Sequence, residues 1–236
     1  MRMQALRIDV WSDIACPWCY VGKRRLEAAL EQFPHRDAVE LVWHSFELDA
    51  SAPRTSEAAP YAGRLARKYG TSVADAQGMI DRMTETAAKD GLDFHFEKIR
   101  PGNTFDAHRL LHLAHTRGLQ DALKERLFLA YLGEGEAIGE PDVLLRLAVE
   151  AGLEHDEVRR VLDGDAFAAA VRDDEDRARR LGIRGVPYFV FDGSHSVSGA
   201  HPADTLLAAL KLAWDAANAR ATESPEGSSC GPDGCA

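Results

Sequence analysis

Leu6-Arg7-Ile8-Asp9-Val10-Trp11-Ser12-Asp13-Ile14-Ala15-Cys16-Pro17-Trp18-Cys19-Tyr20-Val21 passes from alternating apolar and polar residues, through two cysteines, into helical periodicity. The alternation over residues 6–11 predicts a strand. An apolar stripe at Trp18, Val21, Leu26, Ala29, Leu30 and Phe33 predicts a helix. Pro17 suits its first turn, where a missing N–H costs nothing, and Pro34 stops it. Val39-Glu40-Leu41-Val42-Trp43-His44-Ser45-Phe46 reads as a second strand. Strand, helix and strand make a βαβ unit with a right-handed crossover.

The cysteines fall where that strand turns into that helix. Two cysteines three positions apart on a helix share a face, close enough for their sulfurs to join. Cys16 lies at or just before the first turn, where unpaired N–H groups and the positive end of the helix dipole stabilise an anion. A lowered thiol pKa is therefore expected for Cys16, the predicted nucleophile. Cys19, one turn further in, is expected to be buried and to resolve the mixed disulfide. Two other readings stand beside this one. The cysteines could be plain core residues, or Cys16, Cys19, Cys230 and Cys235 could hold zinc as four thiolates. The strand-to-helix setting favours redox chemistry, and no metal is assigned.

Beyond residue 54 the pattern changes. Residues 55–182 read as consecutive helices, over 57–69, 72–90, 104–117, 119–132, 140–151, 154–163 and 166–181, with Ser72 and Thr104 as N-caps. Strand character returns at Pro187-Tyr188-Phe189-Val190-Phe191. Asp192-Gly193 is a hairpin dipeptide, and Ser196-Val197-Ser198 is its partner strand. Pro202 opens a last amphipathic helix. The expected class is α/β, with residues 1–54 and 183–221 forming one discontinuous domain and 55–182 a helical insertion. Residues 222–236 read as a flexible tail with linker composition that carries Cys230 and Cys235.

The net charge is −10 over 236 residues, without a basic stripe. That argues against nucleic acid or anionic lipid as a partner. No apolar run is long enough to span a bilayer, and the first residues lack the apolar core of a secretory signal. The chain as given reads as cytoplasmic, where cysteines serve catalysis or metal binding more often than structure.

Ile14-Ala15-Cys16-Pro17-Trp18-Cys19, the helical insertion and Gly185-Val186-Pro187 together resemble the DsbA-like branch of the thioredoxin superfamily. Within that branch the similarity is to FrnE-type proteins and their relatives, the 2-hydroxychromene-2-carboxylate isomerases. The resemblance covers residues 6–218 and implies a thioredoxin-like fold with a large inserted all-helical domain. It also implies a cis Pro187 facing the two sulfurs, which would hold Val186 so that a substrate peptide can pair with it as an added strand. Pro17, Trp18 and His108 join the expected substrate contacts. His108, His112 and His115 fall on one helix face, expected to be solvated or cleft-facing rather than metal-binding. Thioredoxins carry a buried carboxylate six residues before the first cysteine. Here that position is Val10, which leaves the base for Cys19 open. Asp13 either influences the thiols or caps the loop.

The activity implied is thiol–disulfide exchange on protein disulfides, as a reductase, an isomerase or part of oxidative-stress defence. No cofactor is implied, and a small thiol or a thioredoxin system would donate electrons. Cys230 and Cys235, separated by the turn-rich Gly231-Pro232-Asp233-Gly234, would act as a second dithiol. The alternatives are a glutathione-dependent small-molecule isomerase and a zinc-binding or holdase-like module. The isomerase relatives lack the dithiol and present a serine near the first cysteine's place, so retention of both cysteines favours dithiol chemistry.

Overall fold

The computed structural model describes residues 5–54 and 60–223. Strand β1 (Leu6–Ser12) leads into helix α1 (Pro17–Glu31), and a 3-10 turn at Arg36–Ala38 precedes β2 (Val39–Ser45). A helical block follows: α2 (Tyr61–Tyr69), α3 (Val73–Lys89), α4 (Phe105–Thr116), α5 (Gln120–Phe128), α6 (Pro141–Glu150), α7 (His155–Asp163) and α8 (Ala168–Arg180). The chain then returns through β3 (Tyr188–Phe191), β4 (His195–Ser198) and α9 (Ala203–Glu223).

The strands form one sheet in the order β2-β1-β3-β4. β1 runs parallel to β2, which demands the α1 crossover, and antiparallel to β3. Asp192 and Gly193, both at positive φ, turn the β3–β4 hairpin. Side chains alternate across β1. Leu6, Ile8 and Val10 face α1 and α9, while Trp11 faces α8, where its indole N–H donates to the Asp174 carbonyl.

Helix α1 joins two cores. Its first turns, with Cys16, Cys19, Tyr20 and Val21, pack into the core of the helical block. Its last turns, with Leu26, Ala29 and Phe33, pack against the sheet and α9. The dithiol therefore sits where the two cores meet.

Two local expectations need correction. Ser72 caps α3 as expected, accepting from the Asp75 N–H at 3.0 Å. Thr104 is the N-cap residue of α4 as expected, but its hydroxyl is used on Asp13 and makes no capping bond, and Asn103 Oδ1 accepts from the Phe105 N–H at 2.8 Å instead. The helix expected over 119–132 ends at Phe128 and opens into a π-type turn, Leu129–Glu134. There the Leu132 carbonyl accepts from the His95 N–H outside the helix, at 2.8 Å. Among the described residues no helix is long and apolar enough to cross a membrane. Cys230 and Cys235 lie outside the described residues.

Candidate active site

Cys16 is the N-cap of α1. Its backbone is extended, with φ −96° and ψ 110°, and Pro17 follows at the first helical position. Both cysteines are free and buried. The Cys16 thiol donates to the Val186 carbonyl at 3.5 Å, and the Val186–Pro187 bond is cis. The Pro187 ring packs on Gly22 of α1. A methyl group at Gly22 would lie 2.9 Å from Pro187 Cγ and 3.2 Å from Phe189 Cζ, so only glycine lets the helix and this turn come so close.

The electrostatics differ from the expectation for a bare helix terminus. A hydrogen bond with Cys19, then burial, push the Cys16 thiol up. The Cys19 backbone N–H pulls the other way but does not outweigh them. The lowered pKa expected from the helix dipole is thus corrected. In the reduced, buried pair the two sulfurs share a proton and have lost water, and both effects disfavour the anion.

A cleft of about 690 Å³ opens over Cys16, and Cys19 does not line it. Cys16, Pro17, Trp18 and Val186 line one side, and Tyr61, Arg64, Arg67 and Lys68 of α2 line another. Trp18 is 45% exposed, unusual for a tryptophan and consistent with a contact surface at the cleft mouth.

Beneath the sulfurs lies a charged layer. Asp13 is fully buried, and its Oδ2 accepts from the Leu48 N–H at 2.8 Å while its Oδ1 lies 3.4 Å from His108 Nε2. Burial alone would raise this carboxyl, but His108, the Leu48 N–H and Thr104 outweigh it and hold the pKa below the ordinary value. His108 is buried, and desolvation pushes its pKa below the usual value, which disfavours the charged imidazolium. It reaches the cleft only through Asp13, and the direct substrate contact expected of it is not what the geometry provides. The histidine stripe also divides. His112 lies 3.2 Å from Asp174 and 3.1 Å from Ser45 Oγ, while His115 is exposed. Among the described residues no cluster of side chains is set to hold a metal.

Lys124 escaped the sequence reading. It is completely buried, and its Nζ has no hydrogen-bond partner among the described residues. The signal was present: on α5 the buried positions are Gln120, Leu123, Lys124, Leu127 and Phe128, a core-facing stripe with a lysine in it. Gly22 escaped as well, because its neighbours Pro187 and Phe189 lie more than 160 residues away in the chain.

The sheet order, the dithiol at the β1–α1 junction and the Val186–Pro187 turn before β3 define a protein of thioredoxin-like fold carrying a cysteine pair. The chain belongs to the DsbA-like thioredoxin domain family, whose model matches residues 7–211. It is similar, at 44% identity and a TM-score of 0.85 over 98% of each chain, to a structure described as a probable DsbA oxidoreductase from Streptomyces coelicolor. YwbO of Bacillus subtilis is 28% identical over 207 residues, which is 87% of this chain and 96% of that one. The cytosolic disulfide reductase DsbM from Pseudomonas aeruginosa, solved with GSH, shares the fold at 18% identity and a TM-score of 0.59, over 92% of this chain and 99% of that one.

Proposed function

We propose that this chain exchanges disulfides in protein substrates, with Cys16 as nucleophile and Cys19 as resolving thiol. The observation that carries the reading is the position of Cys16, at the floor of the cleft and hydrogen-bonded to the Val186 carbonyl. That carbonyl is the acceptor for an extended substrate main chain, which would lie across the turn as an added strand with Trp18 and Pro17 beside it.

In the reductive direction the Cys16 thiolate attacks one sulfur of a substrate disulfide. A Cys16–substrate disulfide forms and the other substrate sulfur leaves as a thiolate. Cys19 then loses its proton and attacks Cys16 Sγ, forming the Cys16–Cys19 disulfide and releasing the second substrate thiolate. Two electrons pass from the pair to the substrate, and a reduced thiol donor must return them. Arg64, Arg67 and Lys68 along the cleft suit a small thiol that carries carboxylates. Run without net transfer, the same steps rearrange disulfides. Both uses suit a reducing compartment and the repair of oxidised proteins rather than wholesale disulfide formation. Cys230 and Cys235 join the cycle as a second dithiol that exchanges with the first.

Trapping tests this. Cys19→Ser should hold the mixed disulfide, and mass spectrometry after thiol quenching should find Cys16 joined to peptides of an unfolded, oxidised protein. If the tail pair takes part, a fraction should carry Cys16 joined to the chain's own Cys230 or Cys235. Cys19→Ser with no adduct on Cys16 contradicts the reading, and adducts to substrate alone contradict the role of the tail.

A further inference from the structure

Burying two thiols makes their ionisation harder, and the position where thioredoxins place a buried carboxylate is here Val10, packed in the sheet core. The chain instead spends a buried charge elsewhere. Lys124 projects from α5 toward the start of α1, its ammonium 5.0 Å from the Phe128 ring and 5.5 Å from the Trp43 ring. Aromatic faces attract a cation but do not replace hydrogen bonds, so this placement is costly. A lysine this deep without a carboxylate on it needs a reason in the chemistry around it.

The surrounding contacts hold it there. On one side of α5, Gln120 seals the outer edge of β2, accepting from the Trp43 N–H at 3.0 Å and donating to the Trp43 carbonyl at 2.8 Å. The Trp43 indole donates to Asp121 at 3.0 Å. On the other side, Lys23 of α1 pairs with Asp121 at 3.2 Å and Glu125 at 3.1 Å, and Arg24 also pairs with Glu125. Residues before and after Lys124 are thus tied both to the sheet and to the cysteine helix. The charged or titratable groups facing its ammonium are Cys16 and Cys19 from α1, Asp13 from the β1–α1 loop, His108 from α4 and Asp121 from its own helix.

Resting on the disulfide-exchange reading, we propose that Lys124 is the positioning residue that supplies the dithiol's counter-charge, stabilising the anion that the pair carries once a proton leaves and so setting the reactivity and reduction potential of the pair. The balance is simple. Loss of a proton from the dithiol leaves one sulfur anionic, and the ammonium nearby lowers the free energy of that anion without taking part in a bond. Because only the reduced form can be anionic, the cation favours the reduced form and makes the disulfide more oxidising. Burial pushes the ammonium's own pKa down to about 8, and an anionic sulfur or Asp13 pulls it back up, so forming the dithiol anion helps to keep the cation charged. Asp13 opposes this influence on the dithiol.

Lys124→Met tests the proposal in the full chain. Methionine fills the volume beside Trp43 and Phe128 and removes a buried unpaired charge, so folding should survive. Cys16 is titrated by its iodoacetamide alkylation rate against pH, and the redox equilibrium is measured against glutathione. The midpoint should rise by about one to two pH units. Measured above the wild-type Cys16 midpoint, where the reduced pair is anionic, the glutathione equilibrium should move about tenfold toward the protein disulfide, about 30 mV. A folded Lys124→Met protein with both values within about twofold of wild type overturns the proposal. If the variant fails to fold, the wild type decides through the Lys124 ε-carbon NMR titration, in the oxidised protein and in the reduced protein. A higher Lys124 pKa in the reduced protein supports the coupling, and equal values overturn it. These outcomes differ from failure of the disulfide-exchange reading, in which wild type leaves protein disulfides untouched while Cys16 still titrates.

Discussion

At the residue scale, Gly22 joins the two sequence-distant parts of the site. It sits on the face of α1 that meets Pro187 and Phe189, one turn beyond Cys19, and has no room for a side chain. Gly22→Ala should raise helix propensity yet force the Val186–Pro187 turn away from Cys16. The overpacking should cost about 1–3 kcal/mol, and the Val186 carbonyl should lose its contact with the thiol. Urea unfolding and a disulfide-turnover assay check this, and a variant as stable and active as wild type contradicts it. The cysteines were legible in the sequence because their chemistry depends on local spacing and a local transition from strand to helix. Gly22 was not, since a close approach to residues 187 and 189 leaves no trace in the helix that makes it. Lys124 could have been read from its place in the apolar stripe of α5, but only by treating a charged residue as core.

At the element scale, α8 is clipped to the far face of the sheet by His44. Its two ring nitrogens lie 2.6 Å from Asp174 and 2.6 Å from Asp9, and its ring stacks on Trp11 with centroids 4.6 Å apart. Asp174 also accepts from the Ser45 N–H at 2.8 Å. Burial would lower the imidazole, but the two carboxylates outweigh it and raise its pKa above 6.5. Burial would raise Asp9, but His44 and Arg7 bring it down to about 2, and Asp174 is likewise held well below 3.8. The raised histidine contributes stability that is complete below pH 6.5 and is lost as pH rises through its folded value. The depressed carboxylates contribute stability that is present above pH 3.8 and is lost as pH falls toward their folded values. The clip should be strongest between about pH 4 and 6.5. His44→Leu removes the partner that both carboxylates share, leaving Asp9 with Arg7 and Asp174 with His112 and the Ser45 N–H, and should cost about 3 kcal/mol near pH 6. Urea midpoints from pH 5 to 9 should fall less with rising pH in the variant, and parallel profiles would contradict the linkage. The sequence reading found β2 and the helix that became α8, but a pairing across 130 residues has no periodicity to announce it.

At the scale of the whole molecule, one helix belongs to two cores. The end of α1 that carries the cysteines is buried in the helical block, and the other end is buried on the sheet. Substrate access, thiol burial and the charge at Lys124 therefore all depend on how the block packs over the sheet. The order of strands and helices was legible because each element has its own period and its own stops. What covers the thiols was not, because Asp13, His108 and Lys124 come from three elements that meet only in the folded chain. That meeting revises the simplest picture of a cysteine at a helix terminus: Cys16 lies buried and held up by its neighbours, in a site that supplies charge from below.

If disulfide exchange runs through this pair, Cys16 is indispensable to it. Reduction of insulin disulfides by a thiol donor, followed as turbidity with catalytic amounts of wild type and of Cys16→Ser, measures this directly. Wild type should accelerate precipitation, and Cys16→Ser should run at the rate of the donor alone. Equal acceleration by both proteins would contradict the central claim.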